Sequence, residues 1–186
     1  MKNTIKAILL GGAGAAALTA ALSGAGSANA SCASLNGHNI GQGCKSTPGS
    51  VAVGIGRDAQ ATSLGTRNVA IAVGKPGDNP FYGRPGPTLA YADGTGNTSV
   101  ALGNGSNAGT LGTRNTALAV GNGSNAFSYG GVAHVPITQV SDYKPSSHNT
   151  SVTVGNGSEA GAVGDHDKVS SAFGNNRQRQ NNGLGG

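Results

Sequence analysis

The nine residues Val100-Ala101-Leu102-Gly103-Asn104-Gly105-Ser106-Asn107-Ala108 return almost unchanged as Leu118-Ala119-Val120-Gly121-Asn122-Gly123-Ser124-Asn125-Ala126. Repetition constrains a fold strongly, because every copy adopts one local structure and the copies must bury themselves against each other. Glycine marks the period. Gly103, Gly112, Gly121 and Gly130 follow at intervals of nine, Gly155 and Gly164 continue the spacing, and Gly174 comes after ten. Gly54, Gly65 and Gly74 show the same mark with looser spacing.

Between the glycines the chain alternates. Ser50-Val51-Ala52-Val53, Val69-Ala70-Ile71-Ala72-Val73, Ser99-Val100-Ala101-Leu102, Thr116-Ala117-Leu118-Ala119-Val120 and Ser151-Val152-Thr153-Val154 place bulky aliphatics at every second position. That is the period of a β-strand with one face turned inward. The expected inward set is Val51 and Val53, Val100 and Leu102, Leu118 and Val120, and Val152 and Val154, with Ala and Thr on the outer face. Asn104-Gly105, Asn122-Gly123 and Asn156-Gly157 follow the strands with the residues most tolerant of positive φ. Strands this short, turned so regularly, suit the corners of a solenoid better than a meander of hairpins. The spacing predicts an all-β protein, a β-solenoid of about two short strands per rung with Gly-rich corners at Gly54, Gly74, Gly103, Gly112, Gly121, Gly130, Gly155, Gly164 and Gly174.

A longer repeat overlies the short one. Val53-Gly54, Leu102-Gly103 and Val154-Gly155 open three similar blocks, separated by irregular insertions at 75–96 and 131–148. Periods of this length also occur in propellers, but a blade needs four strands and three blades are too few.

The residues Asn97-Thr98-Ser99-Val100-Ala101-Leu102-Gly103-Asn104-Gly105-Ser106-Asn107-Ala108 and Asn149-Thr150-Ser151-Val152-Thr153-Val154-Gly155-Asn156-Gly157-Ser158-Glu159-Ala160 resemble the haemagglutinin-like, YadA-type head repeats of trimeric autotransporter adhesins. Asn115 to Ala126 is a close variant and Ser50 to Ala61 a weaker one. The resemblance implies a left-handed parallel β-roll that packs as a homotrimer on a bacterial surface and is often adhesive. The repeats are longer than in those heads. Neither an apolar heptad stalk nor the alternating strands of a membrane anchor is legible after Gly164.

Residues 1–30 read as a secretory signal peptide: Lys2 and Lys6, an apolar run from Ala7 to Leu22, and the small-x-small site Ala28-Asn29-Ala30. The run is short and Gly-broken for a membrane span. Without Lys2 and Lys6 the balance is 12 − 2 = 10 basic against 7 acidic residues, scattered and without a nucleic-acid footprint. Secretion makes a Cys32–Cys44 disulfide the expectation within residues 31–49. Asn29, three positions before Cys32, does not fit a lipoprotein box. The repeat domain spans 50–174, and 175–186 reads as a flexible polar tail.

Catalysis needs convergent polar groups, and the sequence offers few. His38, His134, His148 and His166 show no zinc-ligand spacing. Asp165-His166-Asp167 is the densest cluster and reads as a solvated turn sooner than a metal site. Asp78, Asp93 and Glu159 cannot be paired as acid and base. No cofactor or metal is expected. Phe81, Tyr82, Arg84 and Tyr91, grouped beside prolines in the first insertion, are the candidate binding residues, or else caps on the solenoid flank. Thr66-Arg67-Asn68 and Thr113-Arg114-Asn115 put cations at equivalent corners, either to hold acidic polysaccharide or simply to solubilise them. The expected role is non-catalytic binding or adhesion to a cell-wall, polysaccharide or host-matrix ligand. A purely structural envelope component and a polysaccharide-acting enzyme using Asp165 and Asp167 are the alternatives.

Overall fold

The computed structural model describes residues 32–79, 84–129, 146–164 and 168–182. All regular structure among them is β. The strands are β1 (Cys32–Leu35), β2 (His38–Ile40), β3 (Cys44–Ser46), β4 (Val51–Ile55), β5 (Gln60–Thr66), β6 (Val69–Val73), β7 (Gly77–Asn79), β8 (Arg84–Gly86) and β9 (Leu89–Thr95). They continue as β10 (Thr98–Leu102), β11 (Asn107–Thr113), β12 (Thr116–Val120), β13 (Asn125–Tyr129), β14 (Ser146–Ser147), β15 (Thr150–Val154), β16 (Glu159–Val163), β17 (Val169–Phe173) and β18 (Gln178–Asn182).

Two sheets contain nearly all of them. Sheet A runs β17-β15-β12-β10-β6-β4-β1-β2 and sheet B runs β18-β16-β13-β11-β9-β5-β3. From β4 onward, β7, β8 and β14 apart, the chain lays one strand in A and the next in B, and each strand pairs in parallel with its counterpart one rung away. This is a parallel β-solenoid of two-strand rungs. The register gives its pitch in sequence. Thr98 pairs with Thr116, a step of 116 − 98 = 18, whereas Val69 pairs with Thr98, a step of 98 − 69 = 29. The surplus of 29 − 18 = 11 residues is the true size of the first insertion. Thr116 pairs with Thr150, a step of 150 − 116 = 34, which places the second insertion in the next rung.

The inward face is the reverse of the sequence expectation. Ala52, Ala70, Ala72, Ala101, Ala117 and Ala119 are fully buried, as are Ser99, Ser151 and Thr153. The Val and Leu residues alternate onto the outside of sheet A and are mostly half-exposed. The cause is the shortness of the corners. Two residues, Arg114-Asn115, carry the chain from β11 to β12, so the sheets lie too close for branched side chains to interdigitate. Methyl groups and hydroxyls fill the gap instead. The hydroxyls also bind the sheets together: Ser151 donates to the carbonyl of Ala160 at 2.6 Å, and Thr153 to that of Asn125 at 2.7 Å.

The corners follow the same economy of space. Gly74, Gly103, Gly121, Gly155 and Gly174 turn the chain from A to B with positive φ, and Gly164 follows β16 with positive φ; Gly112 lies inside β11 opposite Gly94, and the turn there comes at Arg114-Asn115. A Cβ at Gly94 or Gly103 would collide with the glycine carbonyl of the next rung, at Gly112 or Gly121. Gly54 is not a corner. It lies inside β4 opposite Ala72, and the turn comes at Gly56. Gly130 lies outside the described residues.

The solenoid is capped at its start. β1 runs antiparallel to β4, with β2 folded back on it, and the Cys32–Cys44 disulfide joins β1 in sheet A to β3 in sheet B. At the other end, Gln178–Asn182 falls within the segment that the sequence reads as a flexible polar tail. It forms β18, paired with β16 from Glu159–Gln178 to Val163–Asn182.

Candidate functional site

The outer surface of sheet A is built from three columns of side chains, one per outward position. The column nearest the A-to-B corner is Ile55, Val73, Leu102, Val120, Val154 and Phe173. The middle column is Val53, Ile71, Val100, Leu118 and Val152, ending at Ser171. The third is Val51, Val69, Thr98, Thr116, Thr150 and Val169. Ile55 is 47% exposed, Val154 38%, Val169 61% and Phe173 64%. Six strands spaced about 4.8 Å apart and five residues long give a flat face of about 24 Å by 16 Å. A face of that extent is comparable to the largest apolar patch of an ordinary protein surface, and Thr98, Thr116, Thr150 and Ser171 enter its second and third columns.

Sheet B presents a different outer surface. Thr62, Tyr91, Gly109, Phe127, Gly161 and Gln180 share one column, and Leu64, Asp93, Leu111, Tyr129 and Val163 share another. Phe127 and Tyr129 stack with ring centroids 5.7 Å apart, and the Tyr129 ring reaches over Gly109. Glu159 stands between Asn125 and Gln178 in register, and half-burial raises its carboxyl above the usual range.

The candidate binding residues do not form one loop. Tyr91 belongs to β9, in the regular surface of sheet B, and its hydroxyl donates to Asp93 at 2.9 Å. Arg84 lies in β8, and Phe81 and Tyr82 lie outside the described residues. The described part of the first insertion is a small antiparallel hairpin, β7 with β8. It folds down against the solenoid and does not project. Gly77 sits against Asn104, and buried Asn79 donates to the Gly105 carbonyl at 2.8 Å and to the Asn125 side chain at 3.1 Å.

Sequence reasoning missed the asparagines. Asn68, Asn97, Asn115 and Asn149 are buried at the B-to-A corner and form a continuous ladder. The Oδ1 of each accepts the backbone N–H of the next, at 2.8, 2.8 and 2.9 Å, and Lys168 takes the last place at 2.9 Å. The Nδ2 groups donate to corner carbonyls, Asn97 to Gly112 at 2.7 Å and Asn149 to Gly164 at 2.8 Å. The signal was available, since an Asn recurs just before successive A strands. A second ladder, Asn104, Asn122, Asn156 and Asn175, runs along the exposed A-to-B corner.

The repeated cations fall into one column. Arg67, Arg114 and His148 occupy the turn before successive A strands with φ of 58°, 55° and 62°, and Gly96 holds the place between the arginines with φ of 70°. Asp165, His166, Asp167, His134 and residues 1–30 lie outside the described residues. Among the described residues no three His, Cys, Asp or Glu side chains gather as a metal site, and no helix is long and apolar enough to cross a membrane. No protein-family model matches the chain, and neither a curated protein nor a solved structure is significantly similar to it.

Proposed function

We propose that this is a non-catalytic repeat protein of the cell surface or extracellular space that assembles with copies of itself through sheet A and adheres through its remaining surface. The outward apolar face of sheet A carries the reading. Its column from Ile55 to Phe173 is apolar on all six rungs, Thr98, Thr116, Thr150 and Ser171 enter only the other two columns, and polar corners border the face. Three copies around an axis parallel to the stack would set equal rungs at equal heights and turn the wholly apolar column, from Ile55 to Phe173, toward the axis. The resemblance of Asn97–Ala108 and Asn149–Ala160 to trimeric adhesin heads points the same way, and with it a left-handed coil. The disulfide supports an oxidising compartment.

The test is the solution mass of residues 31–186 by light scattering, beside the variant Leu118→Asp. A carboxylate in the middle of the face would be desolvated and unpaired on assembly, so the variant should stay folded and fall from three chains to one. A wild-type mass of one chain overturns the assembly. Assembled protein that binds neither cell-wall fractions nor extracellular matrix overturns the adhesive role and leaves a structural component of the envelope.

A further inference from the structure

We propose that the corner leading from sheet B to sheet A is a linear binding site for an anionic glycan, a chain bearing carboxylate or sulfate groups, held by Arg67, Arg114 and His148. The three residues are remote in sequence. The register aligns them, because the backbone N–H of Arg67 bonds Gly49 at 3.0 Å, that of Arg114 bonds Thr95 at 2.8 Å, and that of His148 bonds Thr113 at 3.0 Å. All three side chains are exposed.

Their backbone conformation is the first argument for a role. The left-handed region is costly for a side chain bearing a Cβ, and it suits Gly, Asn and Asp. The same column uses glycine at Gly96, so glycine is accommodated there. Arginine at positions 67 and 114 sustains strain that the fold does not need, and such strain is characteristic of sites of interaction.

The second argument is charge. The Arg114 guanidinium meets the Nε2 of His148 at 3.4 Å, a contact with no anion in it. Among the described residues neither arginine is in an ion pair with a carboxylate. Guanidinium groups favour planar oxyanions, which they bind through paired N–H donors.

The third is spacing. Arg114 and His148 are one rung apart, and Arg67 and Arg114 two, so their backbone positions stand about 5 and 10 Å from one another along the corner. A small anion would meet one or two of them. A linear polymer with anions at regular intervals would meet all three. At Gly96, between the arginines, no side chain intervenes and the stem of Arg114 packs over the glycine. Beside the cations runs a row of exposed hydroxyls, with Thr66 Oγ1 and Thr95 Oγ1 3.3 Å apart, suited to the hydroxyls of a sugar chain.

The inference names the ligand class within the adhesive reading and rests on it. Its test keeps the two apart. Binding of residues 31–186 to a polyuronate, a sulfated glycan, a neutral glycan and duplex DNA would be compared with that of Arg67→Gly/Arg114→Gly. The wild type should bind the polyuronate or the sulfated glycan, whichever is the source of the anion, and bind neither the neutral glycan nor DNA comparably. Two lost charge-assisted contacts should weaken binding roughly 100-fold. The same double variant should melt no lower than wild type, because glycine relaxes both turns, and it should keep the wild-type mass. Absence of glycan binding, binding undiminished in the variant, or equal affinity for DNA overturns the proposal. A changed mass with unchanged glycan binding would instead place the arginines in the assembly.

Discussion

Asn115 and Asn122 are seven residues apart and chemically identical, yet their environments differ completely. Asn115 is fully buried: its Oδ1 accepts from Asn149 at 2.9 Å and its Nδ2 donates to Leu111 at 2.8 Å. Asn122 makes the equivalent backbone contacts in water, accepting from Asn104 at 3.1 Å. Removing Asn115 leaves buried donors and acceptors without partners, each costing about 1–3 kcal/mol. Asn115→Ala should therefore lower unfolding stability by about 3 kcal/mol and Asn122→Ala by less than about 1, as read from urea midpoints. Glu159 supplies a pH test. Burial raises its carboxyl, so the folded state holds the proton more tightly than the unfolded state. Stability then falls as pH rises from the ordinary carboxylate range through the raised value. Arg177 and Arg179 are the charged residues of the adjacent strand β18 and the turn before it, and neither reverses the shift. Glu159→Gln should melt higher than wild type near neutral pH and lose that advantage in acid. At this scale the glycines were legible because their period is regular. The Asn ladder was not, because asparagine is ordinarily a surface residue and sequence does not say which corner is closed over.

The strands themselves were written plainly in the alternation of Val69-Ala70-Ile71-Ala72-Val73, but not the side they turn inward. Period two fixes that two faces differ. It assigns the larger residues to the core only where the core has room for them. Here the rung is thin and the alanines win. The consequence can be measured. Ala119→Leu should lower stability by about 3 kcal/mol through overpacking, whereas Leu118→Ala should leave the single folded chain within about 1 kcal/mol of wild type. Were Leu118 the core residue, the order would reverse in denaturant titrations of an assembly-deficient background. The insertions were visible as breaks in the period, but their edges were not. Leu89–Thr95 lacks the Asn-Gly corner before it, which concealed a regular strand and made Tyr91 read as part of the insertion.

For the whole molecule, stability is close to a sum over rungs and the contacts between neighbours. The cap matters most to the rungs nearest it. The disulfide closes a segment with a sequence separation of 12 between two buried cysteines, a loop for which cross-linking contributes about 3 kcal/mol. Cys32→Ser/Cys44→Ser should lose about that much, with amide exchange quickening first in β1 to β5 and little in β15 to β18. The solenoid architecture followed from repetition alone. The cap did not, because β1 to β3 carry no repeat and run partly against it.

The 18-residue step from Thr98 to Thr116 has one further meaning. Residues 98–115 begin and end at the same point of the coil, so a second copy set after Asn115 would meet the faces it was cut from. A stack with a closed beginning and interchangeable middle pieces behaves as a polymer with a defined starter unit. Its length is set by counting, and can change without any change in its chemistry.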